Sequence, residues 1–170
     1  MNNMNYCIEC GTKLKLKYLE HEGEIPYCES CGEFRFPVFS TAVSMIVLNP
    51  EGNKMLLIKQ YGRDDYILTA GYVNKGENAE SAVCREIKEE LGVGTLSLKF
   101  NRSSYFEKSN TLIFNFTAVI ESEQLSTNHE VDSFAWFTFG EAAENVKKNS
   151  LAQSFVLDFL NGYKSKGVLI

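Results

Sequence analysis

Three glutamates, Glu86, Glu89 and Glu90, fall within about one turn of a segment that reads as helix, and Gly71, Glu77, Arg85 and Gly92 stand around them at fixed offsets. At 100° per residue, Glu86, Glu90 and Glu89 lie at about 0°, 40° and 300° on the wheel, while Val83, Ile87 and Leu91 lie between about 60° and 140°. One side is expected to be core and the adjacent side acid. Carboxylates spaced i, i+3 and i+4 repel by about a few tenths of a kcal/mol per exposed pair, and by more where water is excluded. A divalent cation reverses that sign. Hard ions such as Mg²⁺ or Mn²⁺ take oxygen ligands, usually one or two carboxylates with waters and substrate phosphates, so the expected site is completed by a phosphate. Metal there would polarise a phosphoryl oxygen and acidify a water that a carboxylate orients or deprotonates, which equips the site to hydrolyse a pyrophosphate bond.

The elements that must hold these groups are legible. Asn78 is a good N-cap, residues 79–91 contain no Pro or Gly, and Gly92 is placed to terminate a helix of roughly thirteen residues. Ala79 and Ala82 project on the acidic side of the wheel, which predicts space there for a bulky ligand. Strands are expected at 38–48 and 54–60, joined by the turn Asn49-Pro50-Glu51-Gly52-Asn53, with a short strand at 66–69 leading into Gly71. Further strands at 96–105, 111–120 and 134–137 and helices at 140–147 and 151–160 complete a mixed sheet flanked by helices, an α/β/α sandwich of the α/β class. Residues 167–170 give no local signal.

An acidic helix face is ordinarily only solvated, but that reading leaves Gly71, Glu77, Arg85 and Gly92 unexplained. The string Gly71-x5-Glu77-x7-Arg85-Glu86-Ile87-Lys88-Glu89-Glu90-Leu91-Gly92-Val93 resembles the Nudix box, with every defined position filled by an allowed residue. The resemblance implies that Glu86, Glu89 and Glu90 hold one to three Mg²⁺ or Mn²⁺ ions, that Arg85 orients a carboxylate, that Glu77 supports loop and helix, and that the carbonyl near Gly71 joins the metal shell. Glu86 is the first choice as base or ligand. The resemblance also places a further metal-binding carboxylate at Glu130, six residues before Trp136, with Asp132 as the neighbouring rival and His129 read as a surface residue.

Cys7-Ile8-Glu9-Cys10-Gly11 is followed after seventeen residues by Cys28-Glu29-Ser30-Cys31-Gly32. Two such knuckles predict a tetrahedral Cys₄ zinc ribbon, with each glycine turning the backbone so that amides face the thiolates. Four thiolates leave no open position, so this zinc is expected to be structural. A disulfide framework and a redox C-x-x-C pair are the competing readings, and no signal peptide is legible to support an oxidising compartment. His21 falls in the ribbon's polar hairpin with no site role. The fifth cysteine, Cys84, is expected to be a small buried hydrophobe.

With 170 residues, 44% of them hydrophobic, the chain can bury one sizeable core, and its apolar runs are too short to span a bilayer. A net charge of −5, and a ribbon in which Glu outnumbers Lys and Arg, argue against general electrostatic nucleic-acid binding. The expected domains are a ribbon at 6–35 and a catalytic domain at 36–162. A Cys₄ ribbon directly before a Nudix domain resembles the NADH pyrophosphatase branch of that family, including Phe36-Pro37, where the branch has Tyr-Pro-Arg and this chain has Val38. That branch carries a larger domain before the ribbon, whereas this sequence begins at the ribbon. It also carries Ser-Gln-Pro-Trp-Pro-Phe-Pro after the box, where this chain has Ser103-Ser104-Tyr105-Phe106-Glu107-Lys108-Ser109, without the prolines that would fix the loop.

The resemblance therefore implies a cytoplasmic, metal-dependent pyrophosphohydrolase that cleaves a nucleoside diphosphate linked to another moiety. Its implied substrates are an NAD(H)-like dinucleotide or ADP-ribose, with NAD-capped RNA and a homodimer as further possibilities. Tyr105, Phe106 and Tyr72 are candidates to stack on a base, and Arg63 and Arg102 are weaker candidates to approach phosphates. A nucleotide-sensing regulator that binds without turnover and a zinc-ribbon RNA-binding module are the alternatives from other classes.

Overall fold

The computed structural model describes residues 5–164, and the chain divides between Phe39 and Ser40 into two compact units. The first is an antiparallel sheet of three strands, β1 (Lys15–Leu19), β2 (Gly23–Cys28) and β3 (Glu33–Phe34), in the order β1-β2-β3. Cys7 and Cys10 precede β1, and Cys28 and Cys31 bracket the turn from β2 to β3. Gly11 and Gly32 both have φ 72°, and their amides close each knuckle on the carbonyls of Cys7 and Cys28 at 2.9 Å. The glycine amides themselves bond carbonyl oxygen, and the tight turns they allow let other knuckle amides face sulfur, as the sequence predicts. Cys31 N donates to Cys28 Sγ at 3.4 Å, and backbone amides of the first knuckle face Cys7 Sγ. His21 is exposed in the β1–β2 turn.

The second unit runs β4 (Ser40–Leu48), β5 (Met55–Gln60), β6 (Thr69–Tyr72), α1 (Ala79–Leu91), β7 (Thr95–Phe106), β8 (Thr111–Ile120), β9 (Val131–Phe137), α2 (Phe139–Asn145) and α3 (Leu151–Lys164). Strand order is β7-β8-β4-β5-β9 with β6 beside β4; β4 and β8 are parallel and the other pairs antiparallel, so the sheet is mixed. Most of β4 is buried because both faces of the sheet are covered. Val43, Met45 and Val47 pack with Val83, Ile87 and Leu91 of α1, while Ile46 and Leu48 pack with Phe139 of α2 and Phe155 and Leu160 of α3. This is the expected sandwich of a mixed sheet between helices.

Element types agree with the sequence, and several boundaries move. Gly71 lies inside β6 rather than after it, opposite Val43 of β4, because ladder hydrogen bonds hold an Ala-Gly pair that propensity alone would leave as loop. β9 begins at Val131 rather than 134; Asp132 and Ser133 face solvent on an edge strand, which hides the alternation. α2 starts at Phe139 under a capping box formed by Thr138 and Glu141, and ends at Asn145. The turn at 49–53 is as expected, with Asn49 Oδ1 accepting from the amides of Asn53 and Lys54 at 2.9 Å.

Candidate active site

Helix α1 is capped at its start by Asn78, whose side chain accepts from Ser81 N at 2.7 Å, and at its end by Gly92, a left-handed residue at φ 73°. Its buried positions are Ala82, Val83, Ile87, Glu90 and Leu91. Glu90 is therefore inside the buried arc, not beside it. Ala82 is fully buried in the core and Ala79 packs against it. The expected ligand space over these two methyls is absent; their small size lets the helix approach the sheet instead. Cys84 also departs from expectation, since it is exposed on the helix rim.

Close approach explains Gly71. A Cβ built there would lie 2.0 Å from Glu86 Cδ, so the Glu86 carboxyl occupies the space a side chain would need. Gly71→Ala is expected to displace the Glu86 carboxylate and lower turnover by about tenfold or more, while the melting temperature drops only slightly; steady-state kinetics beside a thermal melt check both. Gly92 is constrained the same way, because a Cβ there would meet Ser126 O at 2.6 Å.

Arg85 organises the acids. Its Nε and Nη2 grip the two oxygens of Glu77 at 2.9 Å each, and Glu77 also accepts from Asn74 N at 3.1 Å. Nη1 donates to Glu86 Oε1 at 2.7 Å and to Glu89 Oε2 at 3.0 Å, and Nη2 reaches Tyr72 O at 2.9 Å. The guanidinium holds the Glu77 carboxyl below the usual range, and Glu77, ahead of Glu86 and Glu89, raises the pKa of Arg85. One side chain thus ties the loop, the β6 backbone and two of the three helix carboxylates together.

Glu90 is only 3% exposed. Gln60 Nε2 donates to its Oε1 at 3.2 Å, and its Oε2 has no hydrogen-bond partner. Burial pushes its pKa up to about 7; the Gln60 bond opposes the rise, and the charges of Glu86, Glu130 and Glu89 add to it. Metal-free native protein therefore binds more protons than the unfolded chain between pH 4.5 and about 7, and stability is lost as pH rises through that window. Relative to Glu90→Gln, the metal-free wild type is expected to be equal near pH 4.5 and less stable by on the order of 2 kcal/mol at pH 7.5. Denaturant melts of both proteins across that range check the sign.

An orphaned buried carboxylate oxygen among like charges is the donor set that a hard divalent cation satisfies, so the residues present fit Mg²⁺ or Mn²⁺. The oxygens of Glu86, Glu89 and Glu90 are not gathered as tightly as the four cysteine sulfurs, which among the described residues form the one cluster of possible ligands drawn within 4.8 Å of one another.

Glu130 is carried toward Glu90 by the loop 121–130, which is pinned to the end of α1 through Ser126 N to Leu91 O at 3.0 Å and Asn128 N to Glu90 O at 3.1 Å. Its Oε2 accepts from the Tyr61 hydroxyl at 2.8 Å. Asp132, the rival, is the extra residue where the β5–β9 register slips, and its carboxylate accepts from Gly62 N at 2.6 Å. His129 is exposed. Gln60 and Tyr61 were not foreseen. A signal existed for Gln60, because Leu56 and Ile58 face α1 and a polar residue continues that register.

Of the aromatic candidates, Tyr72 follows Gly71 directly and is 60% exposed beside the Arg85 network. Tyr105 and Phe106 sit at the same end of the sheet, near the start of β8, but on β7, with β8 and β4 between β7 and β6, so roughly three strand spacings, about 14 Å, separate them from Tyr72. Arg102 does not approach the acids; it pairs with Asp158 at 2.7 Å, donates to Ser154 Oγ at 2.8 Å and stacks over Phe155 of α3. Arg63 is exposed, and its backbone amide closes the turn after β5 on Gln60 O at 3.2 Å.

In the first unit, all four sulfurs of Cys7, Cys10, Cys28 and Cys31 lie within 4.8 Å of one another, with Cys7–Cys31 at 3.9 Å and Cys10–Cys28 at 3.4 Å. Ligands about 2.3 Å from a tetrahedral zinc would stand about 3.8 Å apart, whereas a disulfide needs about 2.05 Å. The cysteines are free, and their sulfur separations match a shared metal better than a bonded pair. Burial disfavours the Cys7 thiolate, but Arg35 Nε donating at 3.2 Å and nearby amides bring its pKa down to about 6, while bonds from Cys10 and Cys28 push Cys31 up to about 12.

A NUDIX domain model matches residues 38–158, and the chain belongs to the Nudix family. It is 29% identical over 154 residues to the NAD-capped RNA hydrolase NudC of Pseudomonas aeruginosa, covering 89% of this chain and 54% of that protein. It is 25% identical over 159 residues to the human NAD-capped RNA hydrolase NUDT12, covering 89% of this chain and 34% of that one. The chain thus spans about half the length of the bacterial relative. A NUDIX hydrolase crystal structure from Nitrosomonas europaea superposes with TM-score 0.64 at 20% identity, covering 96% of this chain and 94% of that one, and supports the fold. Among the described residues no helix is long and apolar enough to cross a membrane.

Proposed function

We propose that this chain is a pyrophosphohydrolase dependent on Mg²⁺ or Mn²⁺ that cleaves the diphosphate of a nucleoside diphosphate linked to another moiety. The observation that carries the reading is Glu90 Oε2, buried without a partner and within the electrostatic reach of Glu86, Glu89 and Glu130. Glu86, Glu89, Glu90 and Glu130, with the Gly71 carbonyl, are the groups that would hold the ions. When bound, they polarise a phosphoryl oxygen and acidify water. Arg85 keeps Glu86 and Glu89 aimed, and Glu86, seated over Gly71, is the first choice to take the proton from the attacking water. Tyr72, exposed beside that network, has the best position of the aromatic candidates to stack on a base, with Tyr105 and Phe106 farther along the sheet end.

The substrate reading, an NAD(H)-like dinucleotide, ADP-ribose or an NAD cap on RNA, rests on relatives named NAD-capped RNA hydrolases. The domains are taken as a structural zinc ribbon at 6–35 and a hydrolase domain at 36–162, in a cytoplasmic protein for which the resemblance implies a homodimer as one option. A hydrolysis panel with Mg²⁺ and Mn²⁺ over NADH, NAD⁺, ADP-ribose, NAD-capped RNA, diadenosine polyphosphates and nucleoside triphosphates tests it. Turnover of one linked diphosphate to two monophosphate products is expected; tight binding with no turnover across the panel would replace it with a nucleotide sensor.

A further inference from the structure

The segment Gln60-Tyr61-Gly62 makes a hydrogen bond from each of its three residues to a different carboxylate: Gln60 Nε2 to Glu90 Oε1 at 3.2 Å, Tyr61 Oη to Glu130 Oε2 at 2.8 Å, and Gly62 N to Asp132 Oδ2 at 2.6 Å. These acids come from α1, from the loop 121–130 and from β9. The backbone is built for the task. Tyr61 and Gly62 have φ 56° and 68°, and Arg63 N returns to Gln60 O at 3.2 Å, the φ signs of a type I′ turn. Glycine adopts that conformation freely, but tyrosine does so at a cost, and a strained residue persists only where the surroundings fix it. The ladder slips one residue opposite this turn, between Lys59 and Gln60, which frees Asp132 to cap Gly62.

We infer that this turn is the positioning device of the metal site: Gln60 turns the Glu90 carboxylate and Tyr61 holds Glu130, so that carboxylates from two separate elements converge on one cation. The inference rests on the hydrolase reading and adds residues that do not themselves hold the ion. Gln60 leaves Glu90 Oε2 as the oxygen without a partner, so the ligand atom is selected by satisfying the other one. Asp132 is thereby a brace for the turn and not a ligand.

Mn²⁺ titration of the full zinc-loaded chain, read as loss of the free-ion EPR signal far below the melting temperature, tests this without turnover. Wild type that binds no Mn²⁺ would sink the hydrolase reading itself. Given wild-type binding, Gln60→Met, which keeps volume and removes the donor, is expected to weaken Mn²⁺ about tenfold or more. In a Glu90→Gln background the same change is expected to have little further effect, because the group it aims no longer carries charge. Tyr61→Asn tolerates the left-handed φ and cannot span to Glu130; it is expected to keep the melting temperature and still weaken Mn²⁺, so it carries the test should Gln60→Met not fold. Wild-type affinity in both variants, or an equal loss from Gln60→Met with and without Glu90, would overturn the inference.

Discussion

Glu90→Gln is expected to lower turnover by about 100-fold or more while the protein folds as well as wild type, and better at pH 7.5 without metal. The two effects have one cause. Glu90 is held where its charge is unfavourable, buried and within the field of three other carboxylates, and its Oε2 is left without a partner. A cation recovers that cost in the functional state; glutamine removes it in the metal-free state and removes the ligand with it. Stability spent at a functional site is a recurrent arrangement. Glu89→Gln is expected to behave differently. Glu89 is exposed and tied to Arg85 at 3.0 Å, so its substitution lowers turnover at least about tenfold with no gain in stability. Kinetics with Mg²⁺, paired with melts with and without the ion, separate the two. If either variant kept wild-type turnover, the metal site as built here would be wrong.

Cys28→Ala is expected to abolish binding of one zinc equivalent and to unfold the first unit. Among the described residues of that unit, Cys7 and Cys28 are the buried apolar ones, so three short strands have almost no hydrophobic core to hold them. A domain of this size depends on a staple, and a structural zinc contributes apparent binding energy of about 10 kcal/mol or more. Loss of amide-exchange protection in β1 and β2, with protection kept in β4 and β8 around their own core, is the expected pattern. Metal content by mass spectrometry gives the stoichiometry. Unchanged protection in zinc-free Cys28→Ala would mean that the strands hold themselves.

What the sequence determined by itself were the features set by local chemistry and spacing. Helix α1 was legible from Asn78 to Gly92 because its caps and its lack of breakers act within a few residues. The cysteine cluster was legible because two knuckles bring their own ligands, and the acids because i, i+3 and i+4 share one helix side. The tertiary structure decided everything that depends on what lies opposite. Ala82 is a methyl on the acidic side of a wheel, and whether it faces ligand or sheet depends on β4, not on the helix. Glu90 and Glu86 are equivalent in a motif, yet one is buried against Gln60 and the other lies over Gly71. Arg102 is one more arginine in the sequence and is committed to α3 in the fold. Gln60 and Tyr61 lie outside the box, before Gly71, and meet Glu90 and Glu130 only because β5 sits between β4 and β9 in the sheet. Spacing along a chain fixes which groups share an element, while burial and pairing, which set a carboxylate's charge and aim, are properties of the neighbours that packing supplies.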